Sequence, residues 1–217
     1  MECIGRFYYL NGRICNAAET MPELSGEVSF YEVIRTRNGV PLFFDDHMKR
    51  LSNGIATRYN TDHQIPERVA EGFDALVSSE SFAEMNVRIA VSFSGREYSL
   101  HICYIPSSYP TEEMVRDGVR LILFRAERVD PGVKILNSSL RAKVNNELRR
   151  RQAYEALLVN REGLITEGSR SNVFFIREDG TIVTPPDSMV LSGITREKVI
   201  GLCRAERLNL LFGSVAE

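Results

Sequence analysis

The 217-residue chain has no tryptophan, only three histidines and no surplus of either charge: 27 Lys and Arg stand against 29 Asp and Glu, a net charge of −2. Balanced, interspersed charges give no broad field to gather nucleic acid or an anionic membrane surface, so neither partner is expected. No run approaches the ~18 consecutive apolar residues of a membrane span. The N-terminal Met-Glu-Cys-Ile-Gly-Arg also lacks the basic-then-apolar layout of a secretory signal. A cytoplasmic protein is expected. His47, His63 and His101 are too scattered to read as a metal-ligand cluster, and no His-Glu-x-x-His occurs, so no metal is expected. Cys3, Cys15, Cys103 and Cys203 form no Cys-x-x-Cys and no compact disulfide framework; they read as reduced, structural thiols. Walker and Gly-x-Gly-x-x-Gly loops are missing. Gly168-Ser169-Arg170-Ser171 lacks the closing glycine of a nucleophile elbow, which removes the support for serine hydrolysis.

What is present is a folding composition, 43% hydrophobic and 26% charged, long enough for one large or two small domains. Asn11-Gly12 and Asn38-Gly39 each separate two strand-like runs, Arg6 to Leu10 from Arg13 to Cys15 and Val28 to Arg37 from Val40 to Phe44, which predicts two hairpins. Helices follow from about Asp46, with Asp45 or Asp46 available as N-cap, and from Pro66 to Ser78. Asn86 to Ser94 and Glu97 to Ile105 read as strands about Gly95. Pro106-Ser107-Ser108-Tyr109-Pro110-Thr111 marks a linker, and the boundary is set near 106–115: a small N-terminal α/β domain over 1–110 and a second domain over 111–217. In the second domain, strands are expected at Val119 to Phe124, Ala156 to Asn160, Gly163 to Thr166 and Val173 to Ile176. A charged helix spans Ser139 to Gln152, and another begins at Thr195.

Three isolated features could carry chemistry. Lys134 lies in the charge-poor run Gly132-Val133-Lys134-Ile135-Leu136-Asn137. Buried there, its ammonium form would be disfavoured and the amine made nucleophilic; the plainer reading is a surface lysine with a packed stem. Lys143, among Arg141, Glu147, Arg149, Arg150 and Arg151, reads as part of a solvated helical face. Leu191-Ser192-Gly193-Ile194-Thr195-Arg196 opens a helix with glycine and hydroxyls, either a phosphate cradle with Arg50 as a second charge or an ordinary N-cap. Glu167, in Thr166-Glu167-Gly168-Ser169-Arg170-Ser171-Asn172, could pair with a protonated ring nitrogen or be a surface residue at a turn. Amine, phosphate cradle and carboxylate together suggest pyridoxal phosphate.

The same residues carry a resemblance along most of the chain. Tyr9-Leu10-Asn11-Gly12, Phe30-Tyr31-Glu32-Val33, His47-Met48-Lys49-Arg50-Leu51, Lys134-Ile135-Leu136-Asn137, Thr166-Glu167-Gly168-Ser169-Arg170-Ser171-Asn172-Val173-Phe174 and Leu191-Ser192-Gly193-Ile194-Thr195-Arg196 occur in order. Taken together they resemble the fold-type IV (class IV) pyridoxal-phosphate enzymes: branched-chain and D-amino-acid aminotransferases and aminodeoxychorismate lyase. The resemblance implies an α/β (α+β) two-domain fold with the cofactor between the domains, usually in a homodimer. It implies that Lys134 is the Schiff-base lysine and the proton-transfer base, and that Glu167 pairs with the pyridine nitrogen. Arg50, Ile194 and Thr195 would hold the phosphate, with Ser171, Asn172 and Gly193 also on the cofactor side. Tyr31 and Arg170 would face substrate, Arg170 standing where a small residue is common. The expected activity is amino-group transfer between an amino acid and a 2-oxo acid. The alternatives are an aminodeoxychorismate lyase or a truncated, catalytically silent homologue, because the chain stops soon after the Thr195 helix and its second domain is expected to be shortened. Ser139 replaces the tyrosine that branched-chain enzymes place five residues after the lysine, and Ser94 to Tyr98 do not reproduce the Arg-x-His element of the D-amino-acid enzymes. The identity of the substrate stays open.

Overall fold

A computed structural model describes residues 3–18, 24, 26–60, 64–128 and 130–217; His63 falls outside them. The chain divides into two compact units, 1–109 with 134–136, and 110–133 with 137–217. The class is the expected mixed α/β.

In the first unit, β1 (Ile4–Leu10), β2 (Arg13–Asn16), β3 (Val28–Arg37), β4 (Val40–Pro41), β5 (Glu84–Ser94) and β6 (Glu97–Ile105) form one six-stranded sheet in the order β2-β1-β6-β5-β3-β4. Helices α1 (Phe44–Ala56) and α2 (Ile65–Ser79) follow β4. Both Asn-Gly pairs turn their hairpins with positive φ, 47° and 92° at Asn11 and Gly12 and 50° and 77° at Asn38 and Gly39, which is why these residue types are needed there. The β3–β5 ladder runs without a slip from Val28↔Phe93 to Arg37↔Glu84, so the period-2 rule fixes which side chains share a face. Phe30, Glu32 and Ile34 face the helices. The opposite face carries Tyr31 and Val33 on β3, Arg88 on β5, and His101 and Cys103 on β6. Helix α2 lies so close to β1 that a Cβ on Gly72 would stand 2.6 Å from the Tyr9 ring. Helix α1 begins two residues earlier than expected, at Phe44: its flanking residue is Phe43, in the left-handed region, and Asp45 and Asp46 lie in the first turn, where carboxylates favour the helix dipole.

The expectation of four reduced cysteines is corrected. Cys3 and Cys103 are bonded as a disulfide with Cα atoms 5.8 Å apart, while Cys15 and Cys203 are free. His101 joins them, the ligand atoms of Cys3, His101 and Cys103 all lying within 4.8 Å of one another. Spacing along the chain concealed this, because antiparallel pairing puts Ile4 of β1 opposite Tyr104 of β6 and makes neighbours of residues 100 apart.

The second unit holds α3 (Glu112–Asp117), β7 (Leu121–Arg125), α4 (Ser138–Arg151), β8 (Glu155–Val159), β9 (Leu164–Gly168), β10 (Phe175–Ile176), β11 (Ile182–Thr184), α5 (Ile194–Ala205), β12 (Leu210–Phe212) and β13 (Val215–Ala216). Strands β13-β9-β8-β7 make one sheet and β10-β11-β12 another. Strand β8 is buried at every position. Ala156 and Leu158 pack with Ile122, Val144 and Leu148 from β7 and α4, and Leu157 and Val159 pack with Ile165 on the other face. Each such large aliphatic side chain contributes about 1.5–3 kcal/mol by leaving water. Two local expectations fail here. Helix α3, capped by Thr111 Oγ1 accepting from Met114 N at 3.2 Å, starts where only linker was expected, and the short strands β12 and β13 were not anticipated. Among the described residues, no helix is long and apolar enough to cross a membrane.

Candidate active site

Lys134 belongs by its contacts to the first unit. Tyr31 N donates to Lys134 O at 3.1 Å, Leu136 N donates to Ser29 O at 2.9 Å, and Phe30 and Ile135 form an antiparallel bridge, so residues 134–136 run as an added strand beside β3. That pairing fixes the backbone of Lys134 and leaves its side chain to reach over β3. Its Nζ lies 4.7 Å from the Tyr31 ring centroid, within range for a cation on an aromatic face. Lys134 is half-buried, whereas Lys143 is exposed on α4. Tyr31 and Lys134 are therefore together, as two of the expected site residues should be.

Arg50, expected as a phosphate ligand, is held by a residue to which sequence reasoning gave no role. Glu32 is fully buried. Its Oε1 accepts from Arg50 Nε at 2.8 Å, its Oε2 accepts from Arg50 Nη2 at 2.5 Å, and its Oε2 lies 2.8 Å from His47 Nδ1. Burial pushes the Glu32 carboxyl up, but the hydrogen bonds from Arg50 and His47, with the nearby charges of Arg50 and Lys134, outweigh it and hold the group below its ordinary value. The signal was available. Glu32 stands between Phe30 and Ile34 on the inward face of a strand, where an unpaired acid is rare. His47 and Arg50, three residues apart on α1, supply the partners.

Glu167 lies in the second unit at the end of β9, 3% exposed, where burial makes a specific partner necessary. Arg128 provides it, with Nε 2.6 Å from Glu167 Oε1, and Leu191 N donates to Oε2 at 3.2 Å. A cavity of about 260 Å³ opens beside them, lined by Arg128, Pro131, Asn160, Thr166, Glu167 and Met189. Arg128 escaped sequence reasoning because nothing local ties it to a carboxylate 39 positions away.

The Gly168–Asn172 turn is organised by a second buried acid, Glu155. Its Oε1 accepts from Ser169 Oγ at 2.7 Å, and its Oε2 accepts from Ser171 Oγ at 3.1 Å and from Arg170 N at 3.3 Å. Ser171, expected on the cofactor side, thus has its hydroxyl directed to Glu155. Arg170 is exposed and donates through Nη2 to Tyr154 O at 3.0 Å. Gly168 is obligatory, since a Cβ there would lie 2.0 Å from Ser171 Oγ. Asn172 Nδ2 donates to Leu191 O at 2.9 Å and ties the turn to the loop before α5. Gly193 completes that tie, a Cβ on it falling 1.9 Å from Asn172 Oδ1.

Helix α5 starts at Ile194, one residue before the expected start. Gly193 flanks it and supplies no side-chain cap, which leaves the first-turn amides of Ile194 and Thr195 at the positive end of the helix dipole. Arg196, 2% exposed, pins this end. Its Nη1 lies 2.6 Å from Asp187 Oδ1 and its Nη2 donates to Pro185 O at 2.9 Å. An anion such as a phosphate suits uncapped amides held in this way.

The amino-transferase class IV profile matches residues 29–213. The chain belongs to this family. D-alanine aminotransferase of Bacillus licheniformis is 26% identical over 217 residues, covering 92% of this chain and 75% of that protein. D-alanine aminotransferase of Listeria monocytogenes is 29% identical over 194 residues, 80% of this chain and 64% of the relative. The chain therefore spans about two thirds to three quarters of the length of these curated relatives. The class IV fold is also seen in the Escherichia coli branched-chain amino acid aminotransferase, with TM-score 0.82 and 20% identity over 97% of this chain and 78% of that one. The PLP-bound form of a hypothetical aminotransferase from Mycobacterium tuberculosis matches with TM-score 0.76 and 19% identity, over 97% of this chain and 82% of that one.

Proposed function

We propose that this class IV chain is a pyridoxal-phosphate-dependent aminotransferase that moves an amino group between an amino acid and a 2-oxo acid. The observation that carries the reading is the placement of Lys134: its backbone is locked to β3, and its amine lies 4.7 Å from the Tyr31 ring. The donor set fits the cofactor. There is one positioned amine, one buried carboxylate with a cationic partner, and a helix start whose amides carry no side-chain cap.

In this reading Lys134 holds the cofactor covalently, Glu167 faces its ring nitrogen, and Ile194 and Thr195 hold its phosphate through backbone amides. Arg50, kept rigid by Glu32, adds positive charge for the phosphate. When bound, the cofactor supplies an electron-withdrawing ring that accepts the electrons left when the substrate loses its α-proton. The Glu167 carboxylate would favour a proton on the ring nitrogen. Lys134 would take the substrate's α-proton and return it. Tyr31, beneath that amine, lines the substrate side. Its sequence relatives include D-alanine and branched-chain-amino-acid aminotransferases, which supports these amino acids as candidate substrates. The resemblance further supports a cytoplasmic homodimer.

The test is the absorption spectrum of protein supplied with pyridoxal phosphate, before and after borohydride, followed by peptide mapping and by addition of D-alanine or L-leucine with 2-oxoglutarate. Label on Lys134 and amino transfer to the oxo acid are expected. Label without amino transfer, together with pyruvate release from added aminodeoxychorismate, would favour a lyase; no label would overturn the reading.

A further inference from the structure

The Cys3–Cys103 disulfide has two unusual neighbours. Arg88 on β5 is 3% exposed, and its Nη2 lies 3.3 Å from Cys3 Sγ and 3.6 Å from Cys103 Sγ. His101 is 2% exposed, and neither ring nitrogen has a hydrogen-bond partner among the described residues. A closed cystine is an apolar, uncharged group that needs no cation and no imidazole. Burying a guanidinium and an unsatisfied imidazole around it is costly.

Arg88 suits the opened state. A thiolate set against a guanidinium is stabilised, the condition that makes a cysteine reactive. Burial and the Arg88 charge push His101 down to about 4, so its ring is neutral near pH 7 and adds no second charge beside the guanidinium. Exposure divides the two cysteines: Cys3 is half-buried and Cys103 fully buried. A divalent metal on the same three residues would have to sit beside the buried guanidinium, and that charge opposes it.

We propose that Cys3 and Cys103 are a reversible thiol–disulfide site, with Arg88 stabilising the Cys3 thiolate and a low-molecular-weight disulfide as oxidant. In the closing direction the Cys3 thiolate attacks the external disulfide, forms a mixed disulfide and expels one thiolate. Cys103, its proton passed to the expelled thiolate, then attacks the Cys3 sulfur and expels the second. Two cysteine thiols become one cystine and one external disulfide becomes two thiols, the expelled thiolates taking up the two protons. The site lies on the same sheet face as Tyr31, with Ala90 between Tyr31 and His101 in the register.

The folded full-length chain is equilibrated in buffers of varied reduced and oxidised glutathione, quenched, alkylated and mapped by mass spectrometry. Cys3 and Cys103 should pass together from two alkylated thiols to one linked peptide pair, reversibly, while Cys15 and Cys203 stay alkylated throughout. In reduced protein, Arg88→Met should slow iodoacetamide labelling of Cys3 about tenfold at pH 7 and move its pH profile upward, with Arg88→Lys restoring most of the rate. If Arg88→Met does not fold, the same profile in wild type settles the point, since an ordinary thiol profile at Cys3 overturns the role of Arg88. A bond that persists in folded protein under excess dithiothreitol, or thiols that never pair, overturns the proposal. So does a stoichiometric metal in purified protein that is lost in Cys3→Ser, which would make the cluster a metal site instead.

Discussion

Arg128 Nε lies 2.6 Å from Glu167 Oε1 in an ion pair whose carboxylate is 3% exposed. A buried carboxylate is favoured beside a cation, and Arg128 supplies one at this position. Glu167→Gln is expected to retain the cofactor but lower the rate of α-proton removal about 10²-fold, the scale of a lost preorganised charge. Single-turnover absorbance checks this, and a wild-type rate would discard the role. Arg128→Met removes the cation beside this buried carboxylate and should cost about 3 kcal/mol in denaturant unfolding.

Lys134→Ala should abolish the borohydride-trapped linkage to the cofactor, and Lys143→Ala should leave it intact, because Lys143 is an exposed residue of α4. Intact-mass measurement after reduction reads both directly. Trapping that survives in Lys134→Ala but not in Lys143→Ala would reverse the assignment.

Glu32 anchors Arg50 and His47 through three contacts of 2.5–2.8 Å. Glu32→Ala, by leaving the Arg50 guanidinium without this partner, should destabilise the chain by about 3 kcal/mol and weaken phosphate retention. The carboxyl is lowered from 4.5 in the folded chain, so its contribution is full above the unfolded value and is lost as pH falls below it through the folded value.

His101 titrates in a separate, higher window. Its folded value of about 4 lies below the ordinary 6.5, so the unfolded chain binds the proton first and stability falls as pH drops from 6.5 toward 4. Unfolding at pH 7 and pH 5 should differ by about 2 kcal/mol from this group. The groups facing it are Arg88, Tyr8 and the two bonded cysteines. His101→Gln should remove most of the difference. An unchanged pH dependence in that variant would assign it elsewhere.

Gly193→Ala puts a Cβ 1.9 Å from Asn172 Oδ1 and should lower both stability and cofactor affinity. Asn172→Ala in the same chain removes the clash and should recover part of the stability. Two additive losses would show that the clash is relieved some other way.

Local chemistry made much of the fold legible. Asn11-Gly12 and Asn38-Gly39 can adopt positive φ at two successive positions, so both hairpins were readable from dipeptides. Helix α2 was expected from Pro66 to Ser78 and runs from Ile65 to Ser79, because its apolar period of 3.6 depends on no distant residue. Strands β12 and β13 were missed because three- and two-residue segments carry too little pattern to stand out. Helix α3 was hidden inside a stretch whose Pro and Ser content reads as linker.

The sequence by itself determined the hairpins and the longer helices, which rest on residue types at short, fixed spacing, and its ordered motifs carried the resemblance to class IV and the proposal of Lys134, Glu167 and the Gly193-Ile194-Thr195 helix start as chemical residues. Only the tertiary structure decided that Glu32 holds Arg50 and His47, that Arg128 answers Glu167, and that Cys3, Arg88, His101 and Cys103 meet on one sheet face. Those partners are set by strand register and helix packing. A strand's alternation shows which face a residue points to, but not which distant residue waits there.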